Sequence, residues 1–99
     1  MFSINKTIEG KKAIVALSGR LDTVTAPETE TAVKELIPEI SELVFDFSGL
    51  EYISSAGLRV LLSAQKAMSA KGEMKLVGVS EAVMEIFEVT GFTDILTIE

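Results

Sequence analysis

Two adjacent hydroxyls, Ser54 and Ser55, stand at the head of a helical apolar pattern in the stretch Tyr52-Ile53-Ser54-Ser55-Ala56-Gly57-Leu58. A hydroxyl at a helix start has two chemical uses. It caps the helix by accepting a backbone N–H, which contributes about 1 kcal/mol. Alternatively it accepts a phosphoryl group where unpaired N–H groups and the positive end of the helix dipole favour an anion. Either Ser54 or Ser55 can serve as the cap. Gly57, inside the first turn, costs about 0.5–1 kcal/mol relative to alanine and so marks a close approach of backbone, partner or another element. A second loop, Gly19-Arg20-Leu21-Asp22-Thr23, offers a carboxylate at Asp22, which reads equally as a turn acid and as a site residue. Asp22 and Thr23 lie in one of these two candidate loops, and Ser54, Ser55, Ala56, Gly57 and Leu58 in the other. Asp46 lies within a strand pattern and is expected to point to the rim.

The rest of the composition removes the usual catalytic partners. There are no histidines and no cysteines, so imidazole bases, thiol nucleophiles, disulfides and the common zinc ligands are absent together. Ser55 has no base to activate it, since Lys66 and Lys71 lie well down the chain; intrinsic catalysis is not expected. No Gly-x-x-x-x-Gly-Lys-Ser/Thr loop or Gly-x-Gly-x-x-Gly occurs, and no spaced acidic ladder reads as a calcium loop, so neither a cofactor nor a metal is expected. With 15 acidic against 9 basic residues the net charge is -6, which repels nucleic acid. The N-terminal residues lack a signal-peptide pattern and no apolar run reaches about 18 residues, which points to a cytoplasmic protein away from the membrane.

The elements that must position the two loops follow from periodicity. The 99 residues, 47% apolar and 24% charged, suit one domain over 1–99 that folds alone as a monomer. Phe2, Ile4 and Ile8 suggest an edge strand, and Glu9-Gly10-Lys11 a turn. Ala13-Ile14-Val15-Ala16-Leu17 predicts a central strand over 11–18, covered on both faces by helices. Thr25-Ala26-Pro27-Glu28 has capping-box spacing, predicting a helix from Ala26 to near Ile37, with Ala32, Val33, Leu36 and Ile37 on one stripe before Pro38. Leu43–Phe47 predicts a second central strand stopped by Ser48-Gly49, with Leu50–Ile53 as loop. The longest helix then carries Leu58, Leu61, Leu62, Ala64 and Met68 as far as Lys71-Gly72. Met74–Val79 reads as a third central strand. Ser80 caps a helix bearing Val83, Ile86 and Phe87 that Gly91 ends, and Ile95–Ile98 reads as a last short strand. Strands alternating with helices give an α/β fold with a mostly parallel central sheet, an antiparallel edge strand and flanking helices. In such a sheet the two candidate loops fall on the same edge.

The run from Phe45-Asp46-Phe47-Ser48-Gly49-Leu50-Glu51-Tyr52-Ile53 through Ser54-Ser55-Ala56-Gly57-Leu58-Arg59-Val60-Leu61-Leu62 strongly resembles the signature of STAS domains, in particular bacterial anti-sigma factor antagonists. Gly19-Arg20-Leu21-Asp22 with Thr25-Ala26 looks like a second motif of that family. The stretches Gly72–Val77 and Val83–Glu88 resemble its downstream half, so the resemblance covers essentially the whole chain. It implies a small STAS-type fold and a non-catalytic partner switch. The unmodified antagonist binds an anti-sigma factor that is also a serine kinase, the sigma factor is released, phosphorylation reverses this, and a serine phosphatase resets the switch. The phosphorylated serine of the family maps onto Ser55, and Asp22 onto an acidic residue near it. The position before the phosphosite is often aspartate and is Ser54 here. The partner-binding set implied is Asp22, Thr23 and Ser54 to Leu58. An alternative with the same fold is a STAS subunit of a membrane transport or lipid-trafficking complex, held by constitutive contacts.

Overall fold

The parallel pairing of two long strands organises the molecule, and everything at the candidate site hangs from their far ends. In this computed structural model, which describes residues 2–99, β1 (Ser3–Glu9) and β2 (Lys12–Leu21) form an antiparallel hairpin. Next come α1 (Ala26–Leu36), a three-ten turn (Ile37–Glu39), β3 (Glu42–Ile53), α2 (Ser55–Ser69), β4 (Glu73–Val77), α3 (Glu81–Thr90) and a second three-ten turn (Phe92–Asp94). The sheet order is β1-β2-β3-β4, with β2, β3 and β4 parallel, in keeping with the α/β class expected from the sequence.

Both central strands run further than their sequences suggest. β2 continues through Gly19-Arg20 to Leu21 instead of ending at 18. β3 passes Ser48-Gly49 and takes in Leu50–Ile53, the stretch read as loop. The reason is mutual pairing: each strand supplies the ladder that carries the other, with register shifts between Ala16 and Ser18 and between Gly19 and Arg20. At each shift β3 holds one residue more than β2, so it bulges twice. Gly49 does not break the strand but lets it pass Ser18; a Cβ there would lie 2.9 Å from the Ser18 Cβ.

Burial along β2 alternates rather than being continuous, so the expectation of helices on both faces is corrected. Parallel crossovers are right-handed in nearly all sheets, and here β2, β3 and β4 advance in one direction, which places their connecting helices on one face. The core agrees. Val15, Leu17, Phe45, Phe47 and Leu76 from the sheet pack with Val33 and Leu36 of α1, Leu61 and Met68 of α2, and Val83 and Phe87 of α3. Ile14, Ala16, Val44 and Val77, on the alternate positions, lie outside that cluster. Each large core side chain contributes about 1.5–3 kcal/mol on burial, and the tilted Phe45–Phe47 pair, with centroids 5.7 Å apart, adds an aromatic contact.

The C-terminal strand expected over Ile95–Ile98 is reduced to one parallel bridge, Leu76 with Ile98. Ile95 caps the three-ten turn Phe92–Asp94 in a helical conformation, and the Ile95 and Leu96 N–H groups donate back to Phe92 O, so the first half of the expected strand is diverted. No helix is long and apolar enough to cross a membrane among the described residues.

Candidate functional site

The register of the two long strands brings the two candidate loops together. Leu21 of β2 pairs with Ile53 of β3, so Asp22 and Ser54 leave the sheet side by side, and Ser54 N–H donates to Leu21 O at 2.9 Å. One step earlier Arg20 pairs with Tyr52, and its guanidinium lies over the Tyr52 ring, 4.2 Å from the centroid.

The Asp22 loop is a closed hydrogen-bonded turn. Asp22 Oδ1 accepts from Val24 N–H at 3.0 Å and from Thr25 N–H at 3.2 Å. Thr25 Oγ1 accepts from Asp22 N–H at 2.9 Å, and its own proton has Arg20 O as its nearest acceptor, at 2.8 Å. The capping box expected at Thr25 is therefore not formed: Thr25 makes no side-chain cap bond to α1 because its hydroxyl is turned back into the loop. The Thr25 N–H holds the Asp22 carboxyl below the usual 3.8, with further lowering from Val24 N–H, the Thr25 hydroxyl and Arg20, against a smaller opposing effect of desolvation. Arg20 Nε stands 4.0 Å from Asp22 Oδ2, a long contact between partly exposed groups. Asp22 is thus chiefly a shaping residue for the turn, and Thr23 and Val24 are its exposed tip.

At the start of α2 the two serines separate into different roles. Ser54, with extended backbone, is the cap: its Oγ accepts from Gly57 N–H at 3.3 Å. Ser55 is the first helical residue, exposed, and among the described residues its hydroxyl has no hydrogen-bond partner. The reading of Ser55 as a helix cap is thereby replaced. Ala56 is half-buried. Gly57 and Leu58 are buried, at the base of the first turn of α2. A Cβ on Gly57 would fall 2.7 Å from Ile53 Cγ1 and 2.8 Å from Leu21 Cγ, so this glycine lets the first turn of α2 sit directly on the ends of β2 and β3.

Sequence reading did not single out Arg20, Tyr52, Val24 or Arg59 as site residues. The Arg20–Tyr52 pair depends on two bulges in β3 that shift the register, for which the sequence carries no distinct signal. Arg59 was visible as the charge one helical turn beyond Ser55, and it shares a shallow groove with Thr23 and Ala56. Asp46 is half-buried, and its Oδ1 accepts from Ser48 N–H at 3.0 Å at the first bulge, away from the Ser55 turn. Among the described residues, no three acidic groups gather closely enough to hold a metal ion.

The site thus presents an exposed hydroxyl at the first position of α2, beside the Asp22 turn. The family model described as STAS domain matches residues 3–99. The chain belongs to the STAS domain family. This STAS domain is 31% identical over 87 residues to the anti-sigma-B factor antagonist of Listeria monocytogenes, covering 86% of this chain and 76% of that one. It superposes on an anti-sigma factor antagonist from Mycobacterium paratuberculosis with a TM-score of 0.90 at 23% identity, over 99% of this chain and 85% of the other. It also shares its fold with the Bacillus antagonist SpoIIAA. The TM-score is 0.83 at 18% identity for the unphosphorylated form, covering 100% of this chain and 88% of that one. For the phosphorylated form it is 0.76 at 17%, covering 100% and 91%.

Proposed function

We propose that this STAS domain is an anti-sigma factor antagonist whose unmodified form binds an anti-sigma factor that is also a serine kinase. Phosphorylation of Ser55 abolishes that binding, and a serine phosphatase restores it. The observation that carries the reading is the division of labour between the two serines: Ser54 Oγ is committed to the cap, whereas the Ser55 hydroxyl is exposed and unengaged. The similarity to antagonists of comparable length favours this over a constitutive transport subunit.

The chemistry is supplied by the partner. Transfer from a nucleoside triphosphate breaks the terminal P–O bond, forms the Ser55 Oγ–P bond, and releases a nucleoside diphosphate and the hydroxyl proton. A phosphate adds a charge of about -1.5 to -2, which the first turn of α2 accommodates through its free N–H groups and dipole. The fold therefore need not change. A partner surface shaped to the serine hydroxyl must desolvate or displace a dianion, and a penalty of about 3–5 kcal/mol weakens binding roughly a hundredfold to several-thousandfold. The domain itself acts as a monomeric binding module and performs no turnover.

The test is to co-purify the kinase partner, incubate it with ATP and the STAS domain, and map phosphate by mass spectrometry. The expected result is phosphate on Ser55 that persists in Ser54→Ala and disappears in Ser55→Ala. Phosphate on Ser54 would overturn the residue assignment, and phosphate on neither would overturn the switch.

A further inference from the structure

The charge around Ser55 is unevenly committed. Arg20 is held by the Tyr52 ring and faces Asp22, Lys34 pairs with Glu30 at 3.0 Å, and Lys75 lies between Glu42 and Glu99. Lys66 belongs to the last turn of α2. Lys66, like Lys6, Lys11 and Lys12, makes no ion pair among the described residues, but of the unpaired cations only Arg59 stands one helical turn from Ser55. Arg59 is exposed, and among the described residues no carboxylate lies within ion-pair distance of it.

Its place on α2 gives that free guanidinium a direction. Arg59 follows Ser55 by four residues in an unbroken helix, so the two side chains stand on one face with Cβ atoms about 5–6 Å apart. Helical side chains lean toward the N-terminus, so the long arginine stem reaches back over Ser55 rather than away from it. Arg59 also borders the groove between α1 and the first turn of α2, with Thr23, Ala56 and Glu30, and the Glu30 carboxylate there is paired with Lys34.

We propose that Arg59 is the in-chain partner of a phosphate on Ser55. Modification then changes the docking surface twice: it adds a dianion, and it withdraws the one uncommitted cation beside it. The guanidinium fork matches phosphate oxygens and is charged at every relevant pH, so the pairing follows the phosphate's own ionisation. This inference rests on the reading of Ser55 as the modified residue.

The experiment installs phosphoserine at position 55 during translation, without any kinase, in the wild-type and Arg59→Gln backgrounds. The second ionisation of the phosphate, ordinarily near 6, is then followed by phosphorus NMR across pH. A nearby cation favours the dianion, so the wild type is expected to titrate about 0.5 unit below Arg59→Gln, with Arg59→Lys in between. Lys66→Gln serves as a distant-charge control and is expected to leave the titration unchanged. Coincident titrations in the wild type and Arg59→Gln, or an equal displacement by Lys66→Gln, would overturn the pairing. Because the phosphate is installed directly, such a result leaves the Ser55 reading standing. Failure of that reading would appear separately, as absence of phosphate from Ser55 in the kinase reaction.

Discussion

Helices α2 and α3 begin with the same cap and diverge at the next residue. α2 opens Ser54-Ser55-Ala56-Gly57 and α3 opens Ser80-Glu81-Ala82-Val83. In each, the cap serine accepts from the N–H three residues on, at 3.3 Å. α3 then places a permanent carboxylate, Glu81, at its first position, whereas α2 has no acid in its first turn and an exposed hydroxyl instead. The dipole favours negative charge at both places. In the proposed switch, a phosphate on Ser55 would give α2 the negative charge that α3 carries permanently. The third positions differ for a separate reason: Val83 is buried in the core, but the corresponding place in α2 has no room for a side chain against Leu21 and Ile53.

Making α2 start like α3 is the sharpest way to use this comparison. Ser55→Glu is expected to weaken binding of the kinase partner by at least about a hundredfold while the domain stays folded, read by titration calorimetry alongside circular dichroism. Unchanged affinity would reduce Ser55 to an ordinary surface residue.

The third position gives the largest expected loss of stability. Gly57→Val forces a branched side chain into contacts of 2.7 and 2.8 Å, which is expected to cost about 3 kcal/mol and lower Tm by roughly 15 °C. A thermal melt indistinguishable from wild type would show that α2 can lift off the strand ends at no cost.

Ser54→Ala and Ser80→Ala should each lose about 1 kcal/mol in urea denaturation, because each removes one cap bond. Ser55→Ala should lose almost nothing. Equal losses for Ser54→Ala and Ser55→Ala would contradict the assignment of Ser54 as the cap.

The smallest effect concerns Asp22. Its carboxyl is held below 3.8 in the fold by the turn N–H groups, so its contribution to stability is present above 3.8 and is lost as pH falls through the lower folded value. Denaturation midpoints measured down to about pH 2 should show a small acid loss that Asp22→Asn lacks. An identical acid profile in Asp22→Asn would mean that the turn holds the carboxyl no differently from the unfolded chain.

The serine pair, the acid loop and the alternation of strands with helices were legible because each is a local pattern. The signals at Ser80, Gly91 and Pro38 fall where α3 begins, where it ends and just past α1. Thr25 misled because its hydroxyl has two sets of partners within a few residues, and only the path of the Asp22 turn chooses between them. Ser48-Gly49 misled because a glycine that permits close approach of a neighbouring strand has the same local signature as one that turns the chain.

From residue types and their spacing alone came the class of fold, the exclusion of histidine- and cysteine-based chemistry, and the neighbourhood of Asp22 with Ser54 and Ser55. The tertiary structure decided which serine caps and which is exposed, that Gly57 and Leu58 face inward, and that the helices share one face of the sheet. Those outcomes depend on strand register and crossover direction. Pairing Leu21 with Ile53 fixes where α2 begins and how closely it sits, and that pairing is set by packing across β2 and β3, not by any local run of residues.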